Sequence, residues 1–106
     1  MRRVRLRGEA TQDMAEAALF HEKQRIGLGP WFASTLYDEI EILGLIGGVH
    51  RIRQGFHCYL SRRFPYGVYY RIEGDMVGVY AIVDQRQNPR TISRLLRDLN
   101  AQHELQ

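Results

Sequence analysis

A single cysteine, Cys58, in 106 residues leaves no internal disulfide and no cysteine cluster to hold a metal. Four histidines, His21, His50, His57 and His103, form no pair at metal-ligand spacing, so neither a metal nor another cofactor is expected. No apolar stretch is long enough to cross a bilayer, and the basic start Met1-Arg2-Arg3-Val4-Arg5-Leu6-Arg7 is not followed by the apolar segment of a secretory signal. No membrane association is expected, and a cytoplasmic location is. Repeats and low-complexity runs are absent too, and the length suits one domain over residues 1–106. Lysine is nearly missing: Lys23 is the only one, so fourteen of the fifteen basic residues are arginine.

What is present is a hydrophobic share of 44% against 25% charged residues, enough for a compact core at this length. The net charge of +3 is unevenly spread. Residues 1–7 carry four arginines, and residues 8–46 carry seven acids against Lys23 and Arg25. Residues 47–97 carry nine arginines against Glu73, Asp75 and Asp84, and the tail adds Asp98 and Glu104. An acidic half is joined to a basic one. The planar guanidinium suits phosphate and carboxylate recognition better than the point charge of lysine, whereas the same residues on a solvated face would only keep the domain soluble.

Val4 and Leu6 alternate with Arg3, Arg5 and Arg7 as in a short strand with one apolar face. From Glu9 to about Gln24, Ala10, Met14, Ala17, Ala18 and His21 recur at helical spacing, with the acids weighted to the N-terminal end. Gly27-Leu28-Gly29-Pro30 breaks that helix, and a second runs from Pro30 to about Leu43 with Phe32, Leu36, Ile40 and Leu43 on one face. So short a link makes an antiparallel helical hairpin. Gly44 to Gly55 reads as an irregular connection. Phe56 to Leu60, Tyr66 to Ile72 and Met76 to Val83 alternate as three strands, the last two joined by the turn Gly74-Asp75. Asn88-Pro89 stops the third, and Thr91 to about Gln102 reads as a closing helix. The order predicts an α+β fold: a two-layer sandwich of N-terminal strand, helical hairpin, three-stranded antiparallel meander and short C-terminal helix, with one sheet face partly uncovered.

Three stretches resemble the RelE/ParE superfamily of bacterial toxins from type II toxin-antitoxin modules. Phe20-His21-Glu22-Lys23-Gln24-Arg25-Ile26-Gly27-Leu28-Gly29 with Phe32 is similar to the family's helical-hairpin signature. Arg62-Arg63-Phe64-Pro65-Tyr66 with Tyr69-Tyr70-Arg71 is similar to the start of its central strand, and Ala81-Ile82-Val83-Asp84-Gln85-Arg86-Gln87-Asn88-Pro89 to its last strand and exit. The resemblance implies a toxin that causes growth arrest, a role in plasmid stabilization, and a hetero-oligomer with a cognate antitoxin protein. ParE-type members poison DNA gyrase; RelE-type members act on the ribosome and cut mRNA. Many members carry His where Asp84 stands and Arg or Lys where Gln87 stands, so the likeness is closer to ParE, with the ribosome-dependent mRNA endoribonuclease as the alternative.

Cleavage of RNA by its own 2′-hydroxyl needs a base, an acid and cations for the charge building on the phosphate. As a nuclease the chain would offer Arg62, Arg63, Arg71, Asp84 and Arg86, with Glu73, His57 or Tyr80 as further proton carriers. As a binder it would meet its target or antitoxin through Arg62, Arg63, Arg71, Arg86 and Arg90. An unperturbed aspartate ionises at about 3.9 against about 6.5 for histidine, and neighbouring arginines push it lower, so Asp84 makes a poor general acid and no catalytic site of its own is expected. Phe64, Tyr66, Tyr69 and Tyr70 read as sheet packing, Cys58 as a small buried hydrophobe, and His21 as a hydrogen-bonded, half-buried side chain.

Overall fold

The structure, a computed structural model, describes residues 1–104. Arg3–Leu6 form β1, Gly8–Gln24 α1, Leu28–Glu41 α2 and Leu43–Ile46 a single turn, α3. Ile52–Arg53 form β2, Phe56–Leu60 β3, Tyr66–Glu73 β4, Met76–Asp84 β5 and Pro89–Glu104 α4. The strands make one sheet in the order β1-β5-β4-β3-β2, with β1 parallel to β5 and the other pairs antiparallel. The α+β class, the helical hairpin and the meander are those the sequence predicts.

Alanines at 10, 15, 17 and 18 favour α1 by propensity and let a neighbour come close. The helix ends where Arg25 turns extended, and Gly27, at φ +93°, reverses the chain into α2. The Glu22 carboxylate accepts the N–H groups of Gly27 at 3.0 Å and Gly29 at 2.9 Å, supplying the negative charge that a helix N-terminus attracts. A methyl at Gly29 would sit 2.8 Å from the Ala18 carbonyl oxygen, so the two helices touch backbone to backbone there.

Alternation along the strands sorts the core. Tyr66, Val68, Tyr70, Val77, Val79 and Ile82 pack under the hairpin, against residues such as Met14, Phe32, Leu36 and Ile40. Tyr69 pairs with Ala81 and Tyr70 with Val79, so Tyr80 is the extra residue of a β-bulge, and both Tyr80 and Ala81 turn to the opposite face. There they meet Phe56 and the Ile92, Leu96 and Leu99 stripe of α4. Each of those three helix residues contributes roughly 1.5–3 kcal/mol on burial, which holds α4 down on the sheet. The closing helix is longer than its sequence pattern indicates at both ends, and it covers part of the face that the two-layer reading leaves bare.

The segment read as an irregular connection contains α3 and β2. Gln54 at φ +52° and Gly55 at φ +86° are the two residues of a tight turn that pairs Arg53 with Phe56. Gly44 lies equally close to the amino-terminal segment, since a Cβ there would stand 2.4 Å from the Arg2 carbonyl oxygen.

Replacing Gly29 by Ala should lower the unfolding free energy by about 1–3 kcal/mol, because a backbone carbonyl must move to admit the methyl. Gly8→Ala, with nothing within 4 Å of the new carbon, should change it by less than about 1 kcal/mol. Urea titration of both variants reads the difference, and a harmless Gly29→Ala would mean the hairpin packs more loosely than described.

Candidate functional site

The loop between β3 and β4 presents Arg62 and Arg63 on a rigid base. Glu39 of α2 accepts hydrogen bonds from the Tyr59 hydroxyl at 2.6 Å, the Ser61 hydroxyl at 2.8 Å and the Arg62 N–H at 2.9 Å. Burial opposes the Glu39 charge, yet these donors and the nearby Arg63 guanidinium together hold its carboxyl below the usual range. Burial and the Glu39 hydrogen bond push Tyr59 up to about 12. Phe64 anchors the loop's far side, its ring 4.7 Å from Phe32 and 5.3 Å from Trp31. Both arginine side chains are left exposed.

Asp84 reaches the same end of the sheet, paired across from Tyr66, and the Gln85 N–H donates to the Pro65 carbonyl at 2.8 Å. Arg86 folds back on Asp84 with its Nε 3.0 Å from Oδ1 and its Nη2 2.8 Å from Oδ2, and its N–H also donates to Oδ1. That fork holds the Asp84 carboxyl below the ordinary aspartate value against a smaller effect of burial. Arg90 opens α4 close by, its N–H bonded to the Asn88 side chain at 2.8 Å and its guanidinium exposed.

Arg71 is placed elsewhere. On β4 its Nε donates to the Gly55 carbonyl at 3.2 Å, its Nη2 to the Asn100 side chain, and its guanidinium lies 4.2 Å from the Phe56 ring centre. It ties α4 to the sheet, a packing contact beside the binding role expected of it. The other proton carriers are scattered. Glu73 accepts the Tyr80 hydroxyl and faces Arg7 at 3.6 Å, far along β4 from Asp84. His57 donates from Nδ1 to the His50 carbonyl at 2.8 Å and stacks on Tyr70, whose hydroxyl lies 2.5 Å from His50 Nδ1. Burial, then the His57 charge, lowers the His50 pKa. His21 stacks on Phe32 at 4.3 Å, and among the described residues its Nε2 has no hydrogen-bond partner, so an aromatic contact stands where a polar one is expected. Phe64, Tyr66, Tyr69 and Tyr70 are buried, as strand packing requires.

Two hollows flank α4. One, of about 250 Å³, is lined by Arg51, Arg53, Cys58, Leu60, Tyr69 and Gln85 on the part of the sheet that α4 leaves open. Burial pushes both the Cys58 thiol and the Tyr69 hydroxyl up, so neither ionises readily at neutrality. Arg51 and Arg53 were legible only as members of a connection, although their spacing of two is that of one strand face. The other hollow, of about 320 Å³, is bounded by residues including Asp13, Glu16, Phe20, Asp84 and Leu95. It opens where β1 stops alongside β5, and there Asp13 accepts the Ile82 N–H at 2.9 Å. Burial raises Asp13 to about 6, opposed by that hydrogen bond and helped by Glu16 and Glu9.

Among the described residues no three His, Cys, Asp or Glu side chains converge as metal ligands, and no helix is long and apolar enough to cross a membrane.

Arg71→Ala should destabilise the fold by about 1–3 kcal/mol, while Arg62→Ala and Arg63→Ala should each stay within about 0.5 kcal/mol. Equal effects at all three positions in chemical denaturation would contradict the division. Asp13 gives a pH signature. Its folded value of about 6 stands above the ordinary 3.8, so its contribution to stability is complete below about pH 4 and is lost as pH rises through 6. Asp13→Asn keeps an oxygen for the Ile82 N–H and never ionises. Its stability relative to the parent should be near zero at pH 4 and reach about 1 kcal/mol in its favour by pH 7.5, allowing for the group's partial exposure. A pH-independent difference would disprove the assignment.

No protein-family model matches the chain, and no curated protein matches it in sequence. Among solved structures it is similar to a chain of the chromosomal ParDE TA system from P. aeruginosa, at a TM-score of 0.65 and 17% identity, over 79% of this chain and 96% of that one. At that identity the likeness is one of fold, and the fold is of the RelE/ParE type that the three sequence stretches imply.

Proposed function

We propose that this chain is the toxin of a type II toxin-antitoxin module, acting on DNA gyrase in the ParE manner and silenced by a cognate antitoxin. The observation that carries the reading is the fold shared with the ParDE chain, nearly all of which the match covers. The chemistry at the arginine-bearing end supports a binder over a nuclease. Asp84 is neutralised by Arg86 and held ionised, and the neighbouring hollow offers a thiol and a phenol whose protons are held more tightly than usual. Neither set supplies an acid working near neutrality, and Asp13, raised to about 6 in the hollow that Asp84 also lines, is held by the Ile82 N–H.

The antitoxin contact follows from exposed apolar surface along the hairpin. Phe20 is 51% exposed beside the 320 Å³ hollow, and Trp31 and Ile26 stand open at the hairpin tip. A disordered segment that folds on binding covers such separated patches at low cost in length, and its acids would meet Arg62 and Arg63.

The second reading, a ribosome-dependent mRNA endoribonuclease, has one observation in its favour, the hydrogen-bonded His50–Tyr70–His57 group. Co-expression with its small neighbouring gene product should yield a stable complex. The toxin released from it should inhibit gyrase supercoiling or raise gyrase-mediated DNA breaks, and leave mRNA on translating ribosomes intact. Codon-positioned cleavage with gyrase unaffected would reverse the assignment.

A further inference from the structure

Five arginines, of which only Arg90 is among those expected at the target or antitoxin contact, line α4 and the neighbouring β2 as a ridge. Arg90, Arg94 and Arg97 recur at i, i+4 and i+7 on α4, all exposed, and with Pro89 and Ser93 they line a shallow depression of about 400 Å³. Arg53 of β2 reaches the same helix, its Nη2 donating to the Pro89 carbonyl and the Ser93 hydroxyl, each at 3.0 Å. Arg51 lies next to Arg53 in the adjoining hollow. Among the described residues no carboxylate pairs with any of these five guanidinium groups, whereas Arg7 and Arg86 are paired.

The side chains around α4 fix which way the ridge faces. Ser93 and Asn100 turn toward β2 and the β2–β3 turn, where they meet Arg53 and lie against Gly55, and Leu95 turns to the opposite flank, toward Phe20 and Asp84. Asp98, three residues past Leu95 and four past Arg94, lies between that flank and the crest, and Glu104 follows on the crest seven residues past Arg97. From Arg90 to Arg97 the crest between the flanks is carried by arginine, and Arg53 extends this basic part to β2.

We propose that this ridge binds the phosphate backbone of duplex DNA without sequence preference. Unpaired arginines in a row are the footprint of a polyanion, and the exposed acids Asp38 and Glu41 on α2, across the sheet, repel one from the other side. Neither α4 nor β2 contains Phe, Tyr or Trp, and the His103 ring of α4 is packed against Tyr80, so the ridge has no platform on which unpaired bases can stack, and a single strand gains nothing there. A helix of sixteen residues is about 24 Å long, and its outward crest fits the wide major groove of B-form DNA but not the deep, narrow one of an RNA duplex. Asn100 is committed to Arg71 on the flank, and the guanidinium groups that dominate the crest favour phosphate contacts over base edges.

The inference goes beyond the toxin reading and is tested apart from it. The purified full chain is titrated into a labelled random-sequence DNA duplex, the matching single strand and the matching RNA duplex, each at several salt concentrations. Binding should be tightest to the DNA duplex and weaken with salt. The triple variant R90A/R94A/R97A should bind about tenfold or more weakly, with the slope of log affinity against log salt shallower by about 0.9 for each phosphate no longer neutralised. R90K/R94K/R97K keeps the charge and should stay within about threefold of the parent, which separates removal of the charge from damage to the fold. Unchanged duplex binding by the alanine variant would overturn the proposal. So would equal weakening in the alanine and lysine variants, or tighter binding to the single strand or the RNA duplex. Gyrase inhibition is scored separately, so a failure of either idea is recognisable on its own.

Discussion

The pairing of β4 with β5 is buried on both faces over most of its length, from Tyr66 to Tyr70 and from Val77 to Val83. A two-sided apolar sheet cannot rest against one layer. It needs the helical hairpin on one side and α4 on the other, and the bulge at Tyr80 directs an extra aromatic ring to the second of these. Once both helical layers are fixed, the remaining polar residues have few places to go. The ends of the two strands bring Arg62, Arg63, Asp84 and Arg86 together, and α4 divides the other face into a covered part and an open one.

That division explains what was legible in the sequence. The hairpin and the meander were readable because each spans several repeats of its own period, and Gly74-Asp75 marks its turn without ambiguity. The stretch from Gly44 to Gly55 was not, since a four-residue helix and a two-residue strand are too short to show any period. Its Gln54-Gly55 turn did leave a trace, a glycine two residues after the alternating Arg51 and Arg53. The packing contact of Arg71 was hidden for a different reason. Its position on the strand gave its face correctly, but whether that face meets solvent or a helix depends on where α4 lands, which is a tertiary fact.

Asp13 was invisible for a similar reason. On a helix surface it looks like one acid among several, and only the fold brings it to the Ile82 N–H, 69 residues away. Glu22 shows the opposite case. Its two bonds to the start of α2 are local, and they give a physical reason why Glu22, Gly27 and Gly29 occur together. One glycine supplies the turn, the other admits the neighbouring backbone, and the carboxylate satisfies the amides exposed between them.

The parallel partnership of β1 and β5 sets an order of events. Arg3 pairs with Met76, and among the described residues β1 has no other strand partner, so β1 is held by contacts distant in sequence. Closing so long a loop is slow compared with forming the two hairpins, whose contacts are local. Wherever β1 is undocked the β5 margin is bare, and a bare margin is where unwanted strand pairing between chains is easiest. The Asp13 carboxylate, borne on a helix that forms early, occupies one amide of that margin in the finished fold and leaves β1 only the four residues from Met76 to Val79 to cover.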